Sequence, residues 1–356
     1  MGATMGKCIL VRTEKEKSLF LSLPKKLYQR RECAQDIEAE KSLLNGTHPL
    51  SKQVEIYPYI YVNHNKVVCR CMMTYYKEDG NAYIGFFESM DDFACASAMI
   101  KIVSKKAKAD GKAALVGPYD VSFWIRYRFK CDHFDSVYTC EPYNKCYYPQ
   151  MWERMGFQVT DRYYSNQIRV PRKSDQSEKY KLRLQRFLQN GYIIKSPAES
   201  NFLQCLEEIY ELLTKLYRSF PGYKEITKKQ FMELYTPLKK ILDYSMVKLV
   251  YKDEKLVAFF VSIPNYGNAI YHLDFWNLLK ILRIKRKPKE YVLLYMGVDE
   301  KHLGIGSALS QLIKEELQAK KATSIGALIH EGKVSGNYYR ALYTDQYQYV
   351  LYRKDL

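Results

Sequence analysis

The sequence predicts an α/β (α+β) fold, used twice. Three observations carry that expectation. Strand-like runs pair into hairpins through short polar turns, and each half also contains a strand, a loop and a long amphipathic helix in succession. A polar, Pro-containing stretch, Val170-Pro171-Arg172-Lys173-Ser174-Asp175-Gln176-Ser177, separates the two halves. The length of 356 residues agrees with two domains of ~150 residues each. We place these domains at 1–172 and 178–356, each a mixed central sheet flanked by helices.

In the first half, residues 57–62 and 66–75 alternate in the manner of strands and are joined by the turn-like tripeptide Asn63-His64-Asn65. A strand at 82–87 leads into a helix over 91–109. There Phe93, Ala96, Met99, Val103 and Ala107 form one stripe, and Asp91 or Asp92 supplies the N-cap. A short strand, Ala113-Ala114-Leu115-Val116, is ended by Gly117-Pro118. The second half offers a strand at 191–195 and a helix over 202–217 with Leu203, Leu206, Ile209, Leu213 and Leu216 on its apolar face. A hairpin at 246–251 and 256–261 follows, then a strand at 291–298 and a helix from about Gly306 to about Lys321. A strand at 324–329, a helix around 337–343 and a strand at 347–352 close the pattern.

Composition narrows the function classes. The chain carries 56 Lys and Arg against 39 Asp and Glu, a net charge of +17, and is 47% hydrophobic and 27% charged. Disordered and low-complexity classes are thereby excluded. No window approaches ~18 uninterrupted apolar residues, which excludes a spanning helix. Residues Met1 to Gly6 lack a signal-peptide core, and Gly6 stands where a myristoylation pattern wants Ser or Thr, so a soluble, cytoplasmic protein is expected. Nine cysteines without a CxxC pair imply reduced thiols. Cys69-x-Cys71 reads as alternate strand positions, and no metal is expected. The positive charge favours a polyanionic partner. Its densest run, Lys280, Arg283, Lys285, Arg286, Lys287 and Lys289, follows the apolar stretch Phe275-Trp276-Asn277-Leu278-Leu279 and suits either a solvated face or a docking patch.

The most informative segment runs from Gly297 to Leu309 and contains Leu303-Gly304-Ile305-Gly306-Ser307-Ala308. Glycines between a strand and a helix let the backbone approach a ligand, and the free N–H groups of the first helical turn form an anion site that suits a pyrophosphate. The segment is neither a complete GxGxxG nor a P-loop. With the strand before it and the Tyr-rich segment and strand after it, this half resembles the acyl-CoA-binding half of the GCN5-related N-acetyltransferase (GNAT) superfamily, whose loop pattern is Arg/Gln-x-x-Gly-x-Gly/Ala. Gly306 and Ala308 match that pattern, whereas Leu303 replaces the Arg or Gln, with Lys301 or His302 as the nearby cations to compensate. The first half is similar through Leu23-Pro24-Lys25-Lys26-Leu27-Tyr28, Gly85-Phe86-Phe87-Glu88, Glu141-Pro142-Tyr143-Asn144 and Met155-Gly156-Phe157. The whole chain thus resembles bacterial tandem GNAT proteins. Ser89-Met90-Asp91-Asp92 occupies the first half's loop position; without a glycine and with two carboxylates, this loop implies lost CoA binding.

The resemblance implies an N-acyltransferase that moves an acyl group from acyl-CoA or acetyl-CoA to a small-molecule amine, with an acidic acyl carrier protein as a possible donor. Cofactor contacts would fall on Gly297, Val298, Leu303, Gly304, Ile305, Gly306, Ser307 and Ala308. The backbone of Gly297 and Val298 would face the thioester carbonyl, Tyr343 would protonate the thiolate with Tyr338 and Tyr339 behind it, and Glu331 would be the base. Tyr143, Asn144 and Tyr295 would face the acceptor. Two alternatives stand beside this one: an aminoacyl-tRNA-dependent, Fem-like transferase, and a non-catalytic GNAT-like binding module. The chain suits a monomer or a dimer.

Overall fold

The computed structural model describes residues 6–218, 220 and 222–356; Met1 to Met5, part of the N-terminal reading above, lie outside the described residues. The chain divides into two compact units, Met1–Arg162 with Gln348–Leu356, and Tyr163–Tyr347. The last nine residues thus complete the unit in which the chain begins.

The first unit contains β1 (Lys7–Leu10), α1 (Glu14–Leu27), α2 (Ile37–Leu44), β2 (Val54–Asn63), β3 (Lys66–Tyr76), β4 (Asn81–Ser89), α3 (Phe93–Ala109), β5 (Ala114–Gly117), β6 (Phe129–Lys130), α4 (Tyr148–Arg154) and the start of β7 (Gln158–Ile168). The hairpin β2–β3 turns at His64 and Asn65, both at positive φ, as a tight turn of Asn-rich sequence requires. Neighbouring strands β1 to β4 are antiparallel, β4 and β5 are parallel, and Tyr352 to Asp355 pair antiparallel with β5. Asp92 caps α3 by accepting from the Cys95 N–H, and the helix buries Ala96, Met99, Val103 and Ala107 on the expected stripe. Two ion pairs are enclosed in this unit: Arg70 with Glu40 at 2.6 Å and Lys130 with Glu141 at 2.7 Å.

The second unit takes Tyr163 to Ile168 of β7, then α5 (Glu178–Gln189), β8 (Ile193–Lys195), α6 (Phe202–Tyr217), α7 (Lys228–Tyr235), β9 (Val247–Lys252), β10 (Lys255–Pro264), α8 (Phe275–Arg286), β11 (Glu290–Val298), α9 (Ile305–Lys320), β12 (Thr323–His330) and the start of β13 (Tyr343–Asp355). Its sheet order is β7-β12-β11-β10-β9-β8, with β11 and β12 parallel and the other neighbours antiparallel. Ile305, Leu309, Ile313 and Leu317 of α9 are buried against this sheet. The helix expected around 337–343 is replaced by two 3-10 turns, Val334–Asn337 and Arg340–Leu342, after which Tyr343 already begins β13. Between them Tyr339 is buried and donates to the Ser310 carbonyl at 3.0 Å, which pins the segment to α9 at its middle.

Candidate functional site

The parallel pair β11–β12 holds register from Glu290↔Thr323 to Leu293↔Gly326, and no further pairs are formed among the described residues. Both strands continue, β11 to Val298 and β12 to His330. A bulge in β11 between Leu293 and Tyr295, opposite Val261 and Ser262, accompanies the divergence. Met296, Gly297 and Val298 therefore pair with β10 on one side and leave their other edge open to the gap. Gly297 is needed for packing as well: a Cβ there would lie 2.6 Å from Phe259 Cε1 and 2.8 Å from Leu216 Cδ1.

Behind the gap stands the start of α9. Gly304 is its N-cap at φ +96°, a left-handed conformation that only glycine adopts without strain, and no side chain caps the first turn. The leading N–H groups thus have no side-chain acceptor at the cap. A Cβ on Gly306 would stand 2.7 Å from the Tyr338 hydroxyl and 3.5 Å from Val298 Cγ2, so the glycine makes room for Tyr338 against the buried first turn of α9. Leu303, at the position where the family pattern has a cation or amide, is 77% exposed and contributes no polar group. A cation comes from elsewhere in the chain. Arg183 of α5 donates to Ser307 Oγ at 2.8 Å, and its side chain lies 3.6 to 3.8 Å from where a Gly304 Cβ would be. The segment leading into α5 is held against α9 by further bonds, Gln176 to Gln318 and Lys314 to the Asp175 carbonyl. Of the two residues expected to compensate for Leu303, His302 bonds the Tyr192 hydroxyl at 2.7 Å, and Lys301 stands in the exposed turn before Leu303.

The three tyrosines separate clearly. Tyr343 donates to the Gly336 carbonyl at 2.5 Å, and burial pushes its hydroxyl up to about 12. Tyr339 is turned into the core. Tyr338 faces the Gly306 backbone, its pKa raised by burial and by Tyr180, with Arg183 opposing the rise. Glu331 lies in an exposed turn after β12. Tyr143 and Asn144 lie in the first unit. The Asn144 amide accepts from the Lys130 N–H and donates to the Lys130 and Lys145 carbonyls, while Tyr143 donates to the Phe134 carbonyl.

Tyr295 instead lines a pocket between α6, α7 and the strands β9 to β11. The pocket is apolar and open at its mouth, and its walls include Leu206, Leu213, Phe231, Phe259 and Val261. Tyr295 and Gly297 alternate onto one face of β11, and Phe259 both lines the pocket and covers Gly297. The pocket therefore lies against the face of β11 that also carries Gly297.

No family model and no curated protein matches the sequence. Among solved structures, a tandem GNAT protein from the clavulanic acid biosynthesis pathway is similar at a TM-score of 0.51 and 9% identity, over 98% of both chains. A GCN5-related N-acetyltransferase from Sphaerobacter thermophilus gives 0.51 and 9%, over 98% of this chain and 95% of that one. A protein from Enterococcus faecalis V583, called a probable N-acyltransferase, gives 0.50 and 10%, over 98% and 72%. At such identities the likeness is one of fold, and the fold is that of tandem GNAT proteins. Arg183 escaped the sequence reading because it lies 124 positions from Ser307, on a helix that no motif marks.

Proposed function

We propose that the second unit transfers an acyl group from acyl-CoA to an amine. The observation that carries this reading is the open β11–β12 gap in front of a glycine-capped helix with Arg183 beside it. When bound, acyl-CoA supplies an acyl group activated as a thioester. The first turn of α9 and Arg183 hold its pyrophosphate, Arg183 standing in for the side chain that Leu303 lacks. The open backbone edge at Gly297 and Val298 donates to the carbonyl oxygen as negative charge develops there. The amine nitrogen forms its bond to the carbonyl carbon, the C–S bond breaks, and the proton lost by nitrogen balances the one gained by sulfur. Tyr338, which faces the loop, is the better-placed proton donor; Tyr343 would first have to release the Gly336 carbonyl. The apolar pocket beside Tyr295 suits an acyl group longer than acetyl.

Calorimetric titration with CoA, acetyl-CoA and a long-chain acyl-CoA tests the proposal. Binding should disappear in Gly306→Glu and weaken roughly ten- to hundredfold in Arg183→Ala, the worth of a hydrogen bond to a charged group. Failure of all three ligands to bind the unaltered protein would sink the reading and leave an acyl carrier protein or a charged tRNA as the donor to try.

A further inference from the structure

Helix α8 lies between β10 and β11 and has two unlike sides. Its inward side is formed at 277, 281 and 284, one face of a 3.6-residue helix. Ile281 and Ile284 pack against Tyr266 and Ala269, and Asn277 donates to the His272 carbonyl at 2.7 Å. On the outward side a second apolar face is left uncovered. Trp276 is 75% exposed, Leu273 74%, Phe275 66% and Leu282 55%, with Leu278 and Leu279 between them about half exposed. Single exposed apolar residues are ordinary, but six on and just before one helix form a contiguous patch of the kind that marks an interaction surface.

The charges around this patch identify its partner. Lys280, Arg283, Lys285, Arg286, Lys287 and Lys289 all belong to α8 or the turn after it, and none joins an ion pair among the described residues. No carboxylate stands between Phe275 and Lys289. Asp274 caps the helix by accepting from the Asn277 N–H, and Glu290 accepts from Asn265. At about 100° per residue, Phe275, Leu279 and Leu282 mark the centre of the outward face, with Lys280 and Arg283 on one flank, Lys285 on the other and Arg286 closing the stripe at the helix's last residue. An outward apolar stripe bordered by cations, with Trp and Phe at one end, matches a surface that is anionic outside and hydrocarbon within.

We propose that α8 docks this protein on an anionic membrane, lying in the plane of the interface with its apolar stripe below the headgroups and its cations at the phosphates. At 12 residues it is too short to span, and no helix among the described residues is long and apolar enough to cross a bilayer. The inference rests on no reading of the second unit's site.

Trp276 supplies its own reporter, because Trp124 and Trp152 are 8% and 0% exposed and already shielded from water. The full chain should co-sediment with vesicles of phosphatidylcholine mixed with phosphatidylglycerol, with its tryptophan emission moving to shorter wavelength. Raising the salt from about 0.1 M to about 0.5 M should release it. Arg283→Glu should weaken binding at least fivefold, and Leu279→Ser with Leu282→Ser at least roughly tenfold, with thermal unfolding unchanged because the altered side chains are exposed. Ile102→Ser, an exposed apolar position in the first unit, should change nothing. The proposal is overturned by absence of binding to the anionic vesicles, by equal binding to phosphatidylcholine alone, or by indifference to the α8 substitutions. A stable dimer dispersed by Leu282→Ser, with no vesicle binding, would overturn it in favour of a second copy of this chain.

Discussion

In the first unit β4 and β5 stay parallel from Asn81↔Ala114 to Tyr83↔Val116, and then the chain folds back across the place where they would diverge. The Tyr119 N–H donates to the Ile84 carbonyl at 2.8 Å, and the Phe86 N–H donates to Asp120 at 2.5 Å, with Arg126 holding the other Asp120 oxygen at 2.6 Å. In the second unit the corresponding edge of β11 is open. The helices that follow differ in the same sense: α3 starts under the Asp92 carboxylate, whereas α9 starts at Gly304 with no side-chain cap. The first unit thus carries a carboxylate and a backbone plug of its own chain at the positions where the second unit has an uncapped helix start and an unpaired strand edge. A shared topology leaves the function undecided; the difference lies in which backbone groups are already satisfied.

The largest effect should come from disturbing the plug. A Cβ on Gly85 would fall 2.1 Å from the Tyr119 carbonyl oxygen and 2.5 Å from Asp120 Cα, which are backbone atoms that cannot turn aside. We expect Gly85→Val to cost about 3 kcal/mol in urea unfolding and to leave the CoA titration of the second unit unchanged. Gly306→Glu should behave in the opposite way, removing CoA binding; helix propensity favours the exchange, and its stability cost of about 1 kcal/mol comes from the polar group brought into the buried space beside the Tyr338 hydroxyl. If both variants lost stability and binding together, the division of roles between the units would be wrong.

The pocket beside Tyr295 sharpens the contrast on the open side. Affinity for saturated acyl-CoAs should rise roughly fourfold for each methylene that leaves water, until the pocket is filled. Val261→Phe, which adds bulk to the wall, should flatten the series at a shorter chain while leaving CoA itself unaffected. Equal affinity for acetyl- and decanoyl-CoA would assign the pocket to some other ligand.

A third effect, of about 2 kcal/mol, belongs to the closed unit. Glu88 accepts from the Tyr28 and Tyr148 hydroxyls at 2.7 and 2.8 Å, and burial raises its pKa from 4.5 to about 6 against the opposing pull of Arg70. Because folding raises this pKa, the native unit holds a proton that the unfolded chain releases. Its contribution to stability is complete below about 4.5 and is lost as the pH climbs past about 6. Glu88→Gln keeps an acceptor for both tyrosines and should flatten the stability profile across this window. An unchanged slope between pH 4.5 and 6.5 would assign it to another group.

Much of this contrast was legible in the sequence, for a definite reason. Hydrophobic period and capping residues act over a few positions, and so 202–217 matches α6, Asp92 caps α3, and Gly304 and Gly306 fall at the start of α9. What stayed hidden depends on proximity without sequence nearness. Nothing local marks Tyr119 and Asp120 as the plug of β4, Arg183 as the cation at Ser307, or the last nine residues as part of the first unit. The expected helix around 337–343 failed because a tertiary contact, Tyr339 on Ser310, overrides a weak local preference.

The smallest expected effect discriminates most finely between the two closures of the first unit, the built-in carboxylate and the backbone plug. Asp92→Ala removes the acceptor of the Cys95 N–H and should cost about 1 kcal/mol, the usual worth of an N-cap. It also bares the start of α3, recreating the uncapped helix of the second unit. With the plug intact, an exposed helix start has no gap in front of it to admit a pantetheine arm, so in a Gly306→Glu background the Asp92→Ala protein should still fail to titrate with CoA. A new binding isotherm in that double variant would mean that the carboxylate alone closes the first unit, and that the bonds of Tyr119 and Asp120 to β4 open readily enough for a ligand to displace them.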